Sequence, residues 1–195
     1  MAPPILPPVQ RWLDEVVIGL NLCPFAAAPR HQDRIRLIVS QAVPASEISR
    51  LSADFAADFA AQLLAELQAE LRLLDQRPPS ELETTLLIVP QGLEAFADYN
   101  DFLALADQFL EQFGWAGRFQ IASFHPDYCF ADTDPGDAEN LTNRSPYPLL
   151  HLLREASIEA ALADYGEPDQ IPQRNIRLMG RLSKAQRQRL FPYLS

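Results

Sequence analysis

The chain has 195 residues, an apolar fraction of 48%, and 11 Phe, 5 Tyr and 2 Trp. That is room for one domain with a substantial core, and not the composition of a disordered segment. The formal charge of −10 disfavours nucleic acid as a partner over most of the surface.

Other whole classes drop out on similar grounds. The start, Met-Ala-Pro-Pro-Ile-Leu-Pro-Pro, has neither the basic nor the apolar stretch of a secretory signal, and no apolar run nears the ~18 residues of a membrane span. Cys23 and Cys129 stand too far apart in sequence for a CxxC metal site, and two cysteines do not make a disulfide scaffold. The expected setting is the cytoplasm, with no membrane partner.

Val9, Trp12, Leu13, Val16, Val17 and Leu20 recur at helical spacing, and this first helix should end near Gly19–Asn21, where Asn21 can take a left-handed cap ahead of Pro24. Ile35–Val39 reads as a strand. Ser46 then opens a long helix, with Ile48, Leu51, Phe55, Phe59, Leu63, Leu67, Leu71 and Leu74 on one face, ended by Pro78-Pro79. Its length is on the order of 40 Å. Thr84–Val89 is a second strand. Phe96 to Phe113 is a second long helix, with Gly114 at its C-terminal end, and Arg118–Phe124 is a third strand. Ser145 with Pro146 predicts a further helix running to about Asp164. The last segment is read as a short helix, with Pro172 at its start and Gly180 at its end, although Ile176, Leu178, Gly180 and Leu182 alternate as in a strand. No repeat or linker divides the chain, so residues 1–195 are expected to form one domain.

Strands separated by long helices imply an α/β (or α+β) fold, a small, mostly parallel three-stranded sheet with long flanking helices. In open parallel sheets, ligands bind beyond the carboxyl ends of the strands. Those ends are Ser40, Pro90-Gln91 and His125-Pro126, so the chemically rich stretch FHPDYCFADTDPGDAENLTNRSPYPLLHLLRE begins where a pocket is expected.

Within that stretch, His125 can act as acid, base or ligand near neutral pH, and Asp127 can orient it. The plain alternative is a His-Pro turn with its ring bonded to backbone. On the predicted helix, His151 and Glu155 share a face at i,i+4, the spacing of an acid/base pair or of two ligands to a divalent metal, with His125 as third ligand; a surface helix shows the same pattern. Asn143, Arg144 and Ser145 precede a predicted helix N-terminus, where free N–H groups and an arginine fork favour an anion. Their ordinary reading is a helix cap with a salt bridge. Cys23 is either an activated thiol at a helix start or a buried core residue. Beyond Asp169 there is no acidic side chain, and Arg174, Arg177, Arg181, Lys184, Arg187 and Arg189 make this end +6. It reads as a segment docked on the acidic body, a solvated helix face, or a surface for a protein partner.

At Asn21-Leu22-Cys23-Pro24-Phe25, Ser123-Phe124-His125-Pro126-Asp127-Tyr128 and Asn143 through Glu155, the sequence resembles a bacterial family catalogued as a domain of unknown function, number fourteen-fifteen. The resemblance implies no activity. It does imply that Cys23, His125, Arg144, His151 and Glu155 match the family pattern. Cys129 stands where that pattern usually has glutamine, which argues against a redox pair with Cys23.

These readings converge on an enzyme acting on a small anionic substrate at the carboxyl edge of the sheet. His125 would be the acid/base, Cys23 the nucleophile, His151 and Glu155 the second acid/base pair or metal ligands, and Asn143, Arg144 and Ser145 the anion grip. The competing reading is a non-catalytic small-ligand or metal-binding domain that uses the same residues.

Overall fold

The computed structural model describes residues 4–44, 53–163 and 165–194. Helix α1 (Leu6–Arg11) runs into a π-helical segment (Trp12–Ile18), and a short α2 (Ala27–His31) leads to strand β1 (Ile35–Val39). There follow α3 (Ala53–Gln76), β2 (Thr84–Ile88), α4 (Phe96–Gln112), β3 (Phe119–Phe124), β4 (Leu149–Arg154), α5 (Glu155–Ala163), α6 (Ile171–Arg181) and α7 (Lys184–Leu190). The expected opening of α3 at Ser46 lies outside the described residues.

The sheet is four-stranded and mixed, in the order β1-β2-β4-β3. β1 and β2 pair in parallel, and β4 is antiparallel to both β2 and β3. The three strands read from sequence therefore do run in one direction, and the fourth is inserted among them. This corrects the expectation of a three-stranded, mostly parallel sheet. It also corrects the helix expected from Ser145: Leu149-Leu150-His151-Leu152-Leu153-Arg154 is a central strand, and helix begins only at Glu155. Leucine is a good helix former. Leu149, Leu150 and Leu152, however, are fully buried, the signature of a strand covered on both faces.

Each face of the sheet has its own core. On one side Leu63, Leu67, Leu71 and Leu74 of α3 and Tyr99, Phe102 and Ala106 of α4 pack on Leu87, Leu150 and Leu152. On the other, Val9, Trp12, Leu13, Val16 and Val17, with Met179, Leu182, Leu190 and Phe191 from the C-terminal helices, cover Leu86, Ile88 and Leu149. Each fully buried leucine contributes roughly 1.5–3 kcal/mol. The π-helical turn carries bonds such as Gly19 N–H to the Asp14 carbonyl (3.0 Å) and Leu22 N–H to that of Val17 (2.8 Å). The wider turn brings Trp12, Leu13, Val16 and Val17 together onto the sheet. Asn21 leaves this segment at φ 55°, the left-handed conformation its sequence position suggested.

Both α3 and α4 lie on the same face, because the path β1 to β2 to β3 never reverses direction across the sheet. Crevices at the carboxyl edge of α/β sheets open where successive crossovers diverge to opposite faces. Here they do not diverge, which removes the topological reason for a pocket at that edge.

Candidate functional site

His125 is completely buried. Its Nε2 lies 2.9 Å from the Leu93 carbonyl, to which it donates, and its Nδ1 accepts the Asp127 N–H at 2.9 Å. Each ring nitrogen thus has a backbone partner, which fixes a neutral tautomer. The ring sits among aromatic neighbours, 5.2 Å from Phe96 and 5.1 Å from Tyr99 between centroids. Burial is the main force pulling its pKa below the usual value, against the Leu93 bond and the Asp127 charge. The backbone-bonded His-Pro turn is the arrangement found, and Asp127 enters through its N–H while its side chain is exposed.

Arg144 is held just as firmly. Its Nε donates to the Tyr128 carbonyl (3.2 Å) and an Nη to that of Pro135 (2.7 Å). Its own carbonyl accepts from Trp12 Nε1 at 2.9 Å and from the Tyr193 hydroxyl at 3.3 Å. Ser145 is buried and starts no helix; its hydroxyl donates to the Tyr147 carbonyl at 2.6 Å. Asn143 donates from Nδ2 to the Ser123 carbonyl at 3.1 Å, while His125 N–H donates to the Asn143 carbonyl at 3.1 Å. These bonds continue the β3–β4 ladder past its end. The anion grip expected at a helix N-terminus is therefore corrected: residues 143–147 are an irregular loop that leads into β4, and its arginine stitches that loop.

His151 lies in the ladder row with Leu86 and Ala122, its ring 6.2 Å from that of Phe124, on the face covered by the N- and C-terminal helices. His125 meets α4 on the opposite face. The two histidines do not share a cavity. His151 Nε2 is sealed from solvent without a hydrogen-bond partner, and burial lowers its pKa from 6.5 to about 4. Glu155 belongs to the following helix, so the expected i,i+4 helical pair does not exist. Among the described residues, no three His, Cys, Asp or Glu side chains are grouped to hold a metal ion, so His125, His151 and Glu155 form no such set.

Cys23 is half-buried, and the apolar cluster on the His151 face packs against it. Burial pushes its thiol pKa up. The Phe25 and Ala26 N–H groups and the charge of Arg174 pull it partway back. Cys129 sits within its own loop, 3.5 Å from the Thr133 carbonyl and 3.8 Å from Asn140 Nδ2.

The open, charged region lies elsewhere. Asn175 Nδ2 donates to the Leu22 carbonyl at 2.8 Å, and Arg174 donates to the Asn21 carbonyl, so α6 clamps the segment that carries Cys23. Arg174 also reaches the Tyr165 hydroxyl at 3.3 Å. Two open grooves flank it. One, of about 370 Å³, is lined by Tyr165, Gly166, Glu167, Gln170, Ile171, Arg174 and Arg177. The other, of about 230 Å³, is lined by Leu20, Asn21, Arg174, Arg177, Leu178 and Arg181. Arg177 and Arg181 are exposed, and among the described residues neither pairs with a carboxylate. Sequence reasoning took these arginines for a docked segment, a solvated face or a surface for a protein partner. The available signal was their i, i+3, i+7 spacing in a segment without acidic residues.

A mixed sheet between two helical layers, with an arginine-lined groove beside a cysteine-bearing loop, defines an α/β protein with a local basic patch along α6. The chain belongs to a family of proteins of unknown function (DUF1415), whose model matches residues 5–189. No curated protein and no solved structure matches it. No helix among the described residues is long and apolar enough to cross a membrane.

Proposed function

We propose that this protein binds a small anionic molecule in the grooves on either side of Arg174, and not at the carboxyl edge of the sheet. The observation that carries the reading is the presence of Arg177 and Arg181, exposed and without carboxylate partners among the described residues, on a chain of net charge −10. Arginine forks match carboxylate and phosphate geometry, and such sites gain strength from partial exclusion of water. By contrast, His125 and Ser145 already spend their hydrogen bonds on the fold, and Arg144 is tied by two of its donors to loop carbonyls. A candidate for chemistry beside the grooves is the Cys23 thiol, which sits on the segment that Arg174 clamps, lines neither groove, and has its pKa pushed up by burial. The non-catalytic alternative needs only the arginines.

Thermal-shift measurements with phosphate, sulfate and succinate test the reading. The wild type should be stabilised by at least one of them, and Arg177→Ala should lose most of that response while keeping its own melting temperature. Absence of any anion response in the wild type would reject the proposal.

A further inference from the structure

Arg174, Arg177 and Arg181 lie at i, i+3 and i+7 of α6 and border the same groove. At 1.5 Å per residue they span roughly 10 Å along the helix axis. Arg174 and Arg177 also line the adjoining groove that contains Tyr165, so the two hollows meet along one track. A single small anion can engage only part of it.

The three arginines are not equivalent. Arg174 commits Nε and one Nη to Asn175 Oδ1, that same Nη to the Asn21 carbonyl, and its other Nη to Tyr165. Its role at the track is that of a fixed charge. Arg177 and Arg181 make no side-chain hydrogen bond among the described residues, which leaves their planar forks open to a ligand. The Tyr165 hydroxyl, which accepts from Arg174, still has its own hydrogen to donate. Glu167 is exposed at the mouth of the first groove. Its carboxylate opposes an anion there and biases negative charge toward the Arg181 end.

We infer that α6 is a track for a linear polyphosphate chain, free or carried on a nucleotide. The inference rests on the anion-binding reading above and adds that the ligand must present at least two anionic groups. Arg177 and Arg181 are separated by about 6 Å of helical rise, so each grips a different phosphoryl group of one chain, and Arg174 supplies a third positive charge behind them.

Calorimetric titration of the full chain with orthophosphate, tripolyphosphate and ATP, repeated for Arg181→Ala and Arg72→Ala, tests this. Arg72 is an exposed arginine on α3 and controls for loss of one positive charge. Tripolyphosphate should bind the wild type about tenfold more tightly than orthophosphate. Arg181→Ala should remove about that factor, the size of one hydrogen bond to a charged group. It should leave orthophosphate affinity within roughly twofold, and Arg72→Ala should alter neither. ATP binding more tightly than tripolyphosphate assigns the nucleotide as source, and the reverse order assigns the free chain. Equal affinities for orthophosphate and tripolyphosphate, or an Arg181→Ala variant no weaker than Arg72→Ala, would overturn the track and leave simple anion binding standing. Absence of binding by all three ligands would remove both. Circular dichroism of each variant verifies that its fold is intact.

Discussion

The loop between β3 and β4 and the exposed side of α6 make opposite use of similar chemistry. Residues 125–148 carry one histidine, one arginine, one cysteine and two asparagines, yet His125, Arg144, Ser145 and Asn140 direct their hydrogen bonds inward, to neighbouring backbone for the most part. Along α6, Arg177 and Arg181 are surrounded by ordinary sequence and remain available to solvent. Polar richness in a chain can therefore mark either a site or the need to satisfy a buried, irregular loop, whose unpaired groups each cost about 1–3 kcal/mol. What separates the two is whether the donors already have partners.

That contrast can be attacked at several strengths. The largest effect should come from His125→Ala. It leaves a void between Phe96 and Tyr99 and orphans the Leu93 carbonyl, costing on the order of 4 kcal/mol by urea denaturation. If His125 instead faced solvent or a ligand, the loss would stay well below ~1 kcal/mol.

His151 comes next, through pH. Its folded pKa of about 4 lies below the ~6.5 of an unfolded histidine, so the unfolded chain binds the proton first as pH falls. Stability attributable to this group is complete above about pH 6.5 and declines toward pH 4, by on the order of 3 kcal/mol in total. His125, held neutral mainly by burial, adds with the same sign. Urea midpoints measured across this window should fall with acidity, and His151→Leu should flatten the slope. An unchanged slope in that variant would mean that His151 is solvated and free to titrate.

Gly92 directly precedes Leu93, whose carbonyl bonds His125. At φ 93° it sits where a Cβ would come within 2.6 Å of the Phe59 ring. Gly92→Ala should cost about 2 kcal/mol from backbone strain and crowding combined. A loss no larger than that of Gly114→Ala, where nothing lies within 4 Å of the added carbon, would show that Phe59 gives way.

The smallest stability effects sharpen the comparison most. Arg144→Ala should lower stability by about 1–2 kcal/mol through its lost carbonyl contacts, yet leave any anion-induced thermal shift unchanged. Arg177→Ala should do the reverse, changing stability by less than ~0.5 kcal/mol while removing the shift. Loss of the anion response in Arg144→Ala, with Arg177→Ala still responsive, would return the site to the sheet edge.

Much of the architecture was legible in the residues. β1 was placed at Ile35–Val39, β2 and β3 to within a residue, and the helix over α4 by the periodicity of Phe102, Leu105 and Phe109 with a positive-φ Gly114 behind it. These are local properties: side-chain period, β-branching and turn chemistry act within a few residues of themselves. The short helix from Pro172 to Gly180 was also recovered, as α6, but not the α7 that follows, where Ser183 and Gln186 form a reciprocal cap.

Leu149–Arg154 shows where local information stops. Its composition favours helix, and only the vacancy between β2 and β3, with an apolar layer on either side, makes a strand the better burial of those leucines. Once that segment extends, the helical pairing of His151 with Glu155 disappears, and with it the helix start that was to give Arg144 an anion to hold. His151 and His125, each read as chemistry, end on opposite faces. The residue types could name every group able to do chemistry. Which of them kept a free hydrogen bond depended on where the packed chain placed them: His125 meets the Leu93 carbonyl 32 positions back, and Arg174 meets the Asn21 carbonyl 153 positions away. Contacts of that kind form only when the whole chain has packed.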